Sequence, residues 1–347
     1  MIFKLQALSE IWTGDEHRQN SRLQMTSLLG SIRWWAEAYV RAFDVRACDP
    51  TDSGLRCSNI DPCFICQLFG GVGSGQSQRN APLPAAARFS IRAWKDLNGQ
   101  PDRSEIRIEP LHAGQIFWLE FSFLHSQPPL RSAQQHLLAT ILHIICTYAS
   151  LGGKTTLKPV PGNAAGNECH RDYGLIQLLG MQGAMPDDEP VNVWKTRFLV
   201  EMQHRQKKQP NETPDLPRID YFFFLPGVTL YESHPEIGSF NHLLGLDAMP
   251  WPSMFSIKEF NDGFDPLRAH VRGSRDIQSK RLFSFTLPAA INGRPAGRTW
   301  GYVLDPGFLS QIPDWLNAAG IRKQYLPDNQ PFIRIQPALA LAAGGGA

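Results

Sequence analysis

The chain has 347 residues, 42% of them hydrophobic, a length at which a single hydrophobic core usually divides, so two packed units are expected. Its 34 basic and 32 acidic residues leave a net charge of +2, which excludes any argument from bulk charge to nucleic acid or membrane binding. The longest apolar stretch, Leu137–Leu151, contains Thr140, His143 and Tyr148 and is too short and polar for a membrane span. The opening Met-Ile-Phe-Lys-Leu-Gln lacks the pattern of a secretory signal, so a cytoplasmic protein is expected. Six cysteines, four of them within 19 residues, then point to metal ligation rather than to a disulfide frame.

In chain order, Ile2 to Trp12 alternates apolar and polar residues and reads as a strand. Thr26 or Ser27 can cap a helix whose apolar stripe is Leu28, Ile32, Trp35, Tyr39 and Phe43; Arg33, Glu37 and Arg41, spaced by four, predict a solvated opposite face. Residues 44–67 lose periodicity, and residues 70–78 are rich in glycine and serine, so both read as loops. Strands resume at Ala86–Trp94 and Gln115–Leu124, and a second helix over Ser132–Leu151 ends at Gly152-Gly153. Residues 154–190 read as a linker. Further strands are expected at Val193–Met202, Ile219–Leu225, Leu282–Leu287, Gly301–Leu304 and Phe332–Ile335, with a helix near Pro306–Ala319.

The expected fold is α+β: tandem ferredoxin-like (RRM-like) units with a zinc-binding loop insertion. The first unit would cover residues 1–165 with the cysteine-rich insertion at 44–78. A second, divergent unit would cover 190–340, and 341–347 would be a low-complexity tail.

Cys48, Cys57, Cys63 and Cys66 have eight, five and two residues between successive members, and the closing Cys-Phe-Ile-Cys lets two thiolates share one tetrahedral zinc. Four thiolates close the coordination shell, so the expected zinc is structural; four reduced thiols in a loop are the alternative. Cys169-His170 is a weaker ligand pair, and Cys146 falls on an apolar helix face. Gly152-Gly153-Lys154-Thr155-Thr156 ends like a Walker loop but has Tyr148 where that pattern needs glycine, and a helix rather than a strand before it. Two readings stay open: a glycine turn that meets sugar-phosphate oxygens with Lys154, Thr155, Thr156 and Lys158, or a plain helix stop. Basic groups also cluster at His204–Lys208 and at Arg272, Arg275, Lys280 and Arg281, either as RNA contacts or as solvated faces. The run Phe222-Phe223-Phe224 fits a buried strand better than a base-stacking surface. Asp15, Glu16 and His17 adjoin in the loop after the first strand, yet no catalytic motif is legible.

The first strand, Trp12-Thr13-Gly14 and Ser27-Leu28-Leu29-Gly30-Ser31-Ile32-Arg33-Trp34-Trp35 resemble the RAMP superfamily of CRISPR effector proteins. The Arg-Trp-Trp helix is most similar to the first subunit of the type III-B Cmr complex, and Leu68-Phe69-Gly70 and Gly152-Gly153-Lys154 follow the family order over about the first 160 residues. Thr26 stands where such proteins commonly carry proline, and Lys-Thr-Thr follows the glycines in place of an arginine-rich run. The resemblance implies a non-catalytic RNA-binding subunit of a type III effector complex, near the end of its filament. Its partners would be guide RNA, target RNA and other RAMP subunits, and Arg33 joins the expected RNA contacts. The alternative is a RAMP endoribonuclease, processing guides with His17 as base or cleaving target with Asp15; a third reading is a protein-bridging cap.

Overall fold

The structure is a computed structural model that describes residues 1–14, 17, 19–43, 45–49, 57, 63–70, 89–104, 108–123, 128–152, 173–182, 216–227, 263–272, 281–291 and 294–318. The expected strands at 193–202 and 332–335, the His204–Lys208 cluster and the Cys169-His170 pair lie outside these residues.

The first half builds a five-stranded antiparallel sheet from β1 (Ile2–Ala7), β2 (Phe89–Leu97), β3 (Gln100–Asp102), β4 (Ile116–Phe123) and β5 (Ile176–Gln182), in the order β3-β2-β4-β1-β5. Strand alternation sets its faces. Phe3, Leu5, Phe117, Leu119 and Phe121 are buried toward α1 (Met25–Arg41) and α3 (Pro128–Tyr148), while Lys4, Trp118 and Glu120 share the other face. With β3 set aside as the return of a hairpin, β5-β1-β4-β2 is the strand order of a split βαβ unit, whose two crossovers here contain α1 and α3. Its closing strand is β5, which lies in the stretch expected to be a linker. The first unit therefore takes its last strand from beyond residue 165.

The second half contributes β6 (Phe222–Pro226), β7 (Leu282–Ile291) and β8 (Arg294–Tyr302), an antiparallel sheet in the order β6-β8-β7 among the described residues. Beside it lie α4 (Asp265–Arg272), α5 (Pro306–Leu309) and α6 (Ile312–Ala318). The single helix expected over 306–319 is broken at Ser310-Gln311, after an Asp305 cap that accepts from the Gly307 amide.

Both faces of the second sheet are buried. Phe222, Phe224, Phe285, Trp300 and Tyr302 join the core of the first half, whereas Phe223, Leu225 and Leu282 pack with Leu267, Val271, Ile312 and Trp315. Helix α1 presents Trp34 and Trp35 to that sheet. Trp35 lies 5.4 Å from Phe222 and 5.0 Å from Trp300 between ring centroids, and Trp34 lies 5.9 Å from Tyr302. Helices α1 and α3 thus form a layer between two sheets, held largely by aromatic burial worth about 1.5–3 kcal/mol per large side chain.

One expectation about α1 is overturned. Its charged face is not solvated, because Glu37 is 4% and Arg41 7% exposed. The cysteine segment packs over that face, so the spacing of four that reads as surface pairing is instead a buried charge array.

Candidate metal centre and adjoining glycine turn

The cysteine segment is pinned from both ends. Arg41 donates from Nε to the Ala47 carbonyl at 3.2 Å and from Nη1 to that of Pro217 at 3.2 Å, tying the segment to α1 and to the second half of the chain. At the far end a short helix, α2 (Phe64–Phe69), buries Phe64, Ile65, Leu68 and Phe69, and the Phe69 ring meets Phe89 of β2 at 5.3 Å. Six residues are too few to show periodicity, which is why this helix reads as loop from sequence. Cys63 caps it, its sulfur accepting from the Cys66 amide.

All four candidate sulfurs are buried and lie within 4.8 Å of one another. Cys48 Sγ is 3.2 Å from Cys66 Sγ and 3.9 Å from Cys63 Sγ. Zinc–sulfur bonds of about 2.3 Å set the edge of a ZnS4 tetrahedron at about 3.8 Å, so the quartet has the right size for a single tetrahedral ion. Backbone amides also point at sulfur: Cys63 N to Cys57 Sγ at 3.2 Å and Cys66 N to Cys63 Sγ at 3.4 Å. Mutual hydrogen bonding with Cys48, Cys57 and Cys66 holds the Cys63 thiol far below its ordinary range, and pushes Cys66 up in exchange. Four thiols at this spacing cannot all ionise alone, whereas a dication would make that possible. The donor set fits a closed, structural site for a soft tetrahedral ion.

About one zinc per chain is therefore expected by native mass spectrometry. Cys63→Ser with Cys66→Ser should lose it and loosen residues 44–70, while β1, β4 and β5 keep slow hydrogen exchange. Zinc retained in the double variant would remove these ligands. Binding must displace thiol protons, so affinity should fall as pH falls; chelator competition at two pH values reads the slope.

The second assembly lies at the start of α1. Thr13 accepts at Oγ1 from the Gln24 amide at 2.9 Å and donates to the Arg22 carbonyl at 3.1 Å, and Ser27 Oγ donates to the Thr13 carbonyl at 2.6 Å. Gly152 joins them. Its amide donates to Ser31 Oγ at 3.1 Å, its φ is +115°, and a Cβ there would sit 2.9 Å from the Trp12 carbonyl oxygen, so glycine is required. The structure thus brings together the Trp12–Gly14 turn, the first turns of α1 and the residue that opens the glycine loop. Gly153, Lys154, Thr155, Thr156 and Lys158 lie outside the described residues, as does Asp15, while His17 is exposed.

Other expected contacts scatter. Arg281 is 5% exposed and donates from Nη1 to the His270 carbonyl at 2.6 Å, so it ties β7 to α4. Arg272 ends α4, and Arg275 and Lys280 fall outside the described residues. Arg33 turns inward: Nε meets Glu37 Oε1 at 2.8 Å, Nη1 the Gly70 carbonyl at 2.6 Å and Nη2 Cys66 Sγ at 3.3 Å. Sequence reasoning missed Arg298, which reaches from β8 to the end of α3; its alternation with Trp300 and Tyr302 on one face of the strand was the available hint.

Among the described residues, no helix is long and apolar enough to cross a membrane. No curated protein matches the sequence. Among solved structures, the apo crystal structure of Cmr1 from Pyrococcus furiosus aligns at 12% identity and TM-score 0.43, covering 99% of this chain and 95% of that one. A type III-B Cmr-beta complex bound to cognate target RNA aligns at 8% identity and TM-score 0.42, covering 92% and 98%. Another structure of that complex, bound to cognate target RNA and AMPPnP in the presence of ssDNA, aligns at 10% identity and TM-score 0.41, covering 92% and 98%. The sequence profile of the RAMP superfamily matches residues 4–157, from the first strand through α3 to the glycine turn, so over this stretch the chain is similar to the RAMP superfamily.

Proposed function

We propose that the protein is a non-catalytic RNA-binding subunit of a cytoplasmic type III CRISPR effector complex. It engages guide and target RNA near the filament end and packs against other RAMP subunits. The RAMP match carries this reading, because it covers β1 to β4 and the helices between them, together with the Trp12–Gly14 turn, the start of α1 and Gly152. Residues 190–340 complete the proposal as a divergent second ferredoxin-like unit, and zinc in the cysteine centre serves structure.

In this reading Lys154 and Lys158 neutralise phosphates beside Gly152. For single strands each phosphate contributes about 0.7 to the slope of log affinity against log salt, so Lys154→Ala with Lys158→Ala should lower that slope by about 1.4. The loss should be uniform across RNA sequences, as read by fluorescence anisotropy. An unchanged slope would leave the turn as a helix stop. Catalysis is expected to be absent: Asp15→Ala and His17→Ala in a reconstituted complex should leave target and repeat RNA cleavage unchanged. A loss above about tenfold with assembly intact would favour the endoribonuclease, since that is the size of a lost general acid or base.

A further inference from the structure

The side chains beneath the cysteine quartet are unusual for a loop that only needs to be held in place. Arg33 and Arg41 bring two positive charges, and Glu37 one negative charge, to a face where Glu37 and Arg41 are buried and the Arg33 side chain is 14% exposed. Asp49 adds a second negative charge on the Arg41 side, which leaves Arg33 as the cation turned toward the sulfurs. Metal-bound thiolates would give that guanidinium an acceptor of opposite sign. Geometry says which sulfur is addressed. The Arg33 guanidinium is a planar fork whose three nitrogens go to three different acceptors: Glu37 on its own helix at 2.8 Å, the Gly70 carbonyl at the end of α2 at 2.6 Å, and Cys66 Sγ within α2 at 3.3 Å. The carboxylate fixes the rotamer, so the remaining edge of the fork is aimed rather than free to search.

From this we infer that Arg33 is a positioning residue of the metal centre. It is a charged N–H···S donor that orients Cys66, offsets thiolate charge and ties occupancy of the centre to helix α1. The inference rests on the metal reading above and assigns to the Arg-Trp-Trp arginine a task other than holding RNA. It also divides the motif physically, since Trp34 and Trp35 face the second sheet while Arg33 faces the cysteines. Partners of this kind typically change metal affinity by 10–100-fold when removed.

The test uses the full chain stripped with chelator and titrated with Co(II), then Zn(II), under chelator competition. Arg33→Met should bind about 10–100-fold more weakly and shift the sulfur-to-cobalt charge-transfer absorption, because the thiolate loses a hydrogen bond. Arg33→Lys keeps the charge but cannot span all three acceptors, so it should fall between the two with its band still displaced. Should the Met variant fail to fold, by circular dichroism, the Lys variant decides. Wild-type affinity within twofold and an unshifted band in the folded variants would overturn the role of Arg33 while leaving the metal site standing. Wild-type protein that takes up neither ion would overturn the metal reading and this inference with it.

Discussion

Replacing Arg298 by Met should lower the free energy of unfolding by about 3 kcal/mol, the range seen when one partner of a buried charged network is removed. Arg298 is 6% exposed, and among the described residues its guanidinium donates to main-chain oxygens. Nη1 donates to the carbonyls of Ile145 at 3.1 Å and Ala149 at 2.7 Å, Nη2 to that of Cys146 at 2.6 Å, and both reach Ile176 at 3.4 Å. Three of those oxygens belong to the last turn of α3 and the residue after it, at the negative end of the helix dipole, and the Ile145 oxygen also accepts from the Ala149 amide at 3.3 Å. The fourth begins β5. One side chain of the second sheet therefore caps a helix and anchors an edge strand of the first half. Burial lowers its pKa to about 10, so it stays charged at neutral pH. Met restores the volume and removes the cost of burying the charge, but takes the guanidinium away from the Cys146, Ala149 and Ile176 carbonyls, while Ile145 keeps the Ala149 amide. Arg298→Lys, which can satisfy fewer of them, should lose an intermediate amount. Urea midpoints at constant m-value read the difference. If Met matches the wild type, water or neighbouring amides serve those carbonyls as well as the guanidinium does.

What was legible in the sequence follows how strongly one face of each element differs from the other. Helix α1 was legible because Leu28, Ile32, Trp35 and Tyr39 repeat at helical spacing against a buried sheet, but Thr26 or Ser27 does not cap it: the helix occupies Met25–Arg41 with Gln24 at its N-cap, and the Ser27 hydroxyl goes to the Thr13 carbonyl instead. Strands β2 and β4 lie within a few residues of expectation for the same reason. Strand β5 escaped because it is an edge strand interrupted by Gly180, with Leu179 and Met181 exposed and glutamines at 177 and 182, so neither face is consistently apolar. The charged stripe of α1 was legible as a pattern and misleading as a location, since spacing of four looks the same on a wet face as beneath a cysteine loop. The cysteine spacing, by contrast, named the four sulfurs that the fold brings together, because ligand spacing is a local constraint. The Phe222–Phe224 run was legible as a buried strand, but not that its two faces serve two different cores.

Gly174→Ala is expected to cost about 3–4 kcal/mol, near the upper end for single substitutions, because two penalties fall on one atom. The residue sits at φ +78°, where a side chain alone costs about 1 kcal/mol or more, and a Cβ there would lie 1.9 Å from the Leu151 carbonyl oxygen. That oxygen is backbone and cannot rotate aside. Nor can the two segments separate cheaply, since the Leu151 amide donates to the Gly174 carbonyl at 2.7 Å and the Gly174 amide to that of Glu10 at 2.8 Å. Gly174 is where the segment after β1, the end of α3 and the start of β5 touch, one residue along from the Gly152 turn. The substitution should therefore raise hydrogen exchange at Leu151, Gly152 and the first residues of β5 before it affects β2 or β3. Gly30→Ala is the matched control: nothing lies within 4 Å of its added Cβ, and its position inside α1 predicts a gain of about 0.5–1 kcal/mol. If Gly174→Ala unfolds at the wild-type urea midpoint, the Leu151–Gly174 approach contributes nothing to stability, and the glycine turn must be held by Ser31 and Trp12 alone.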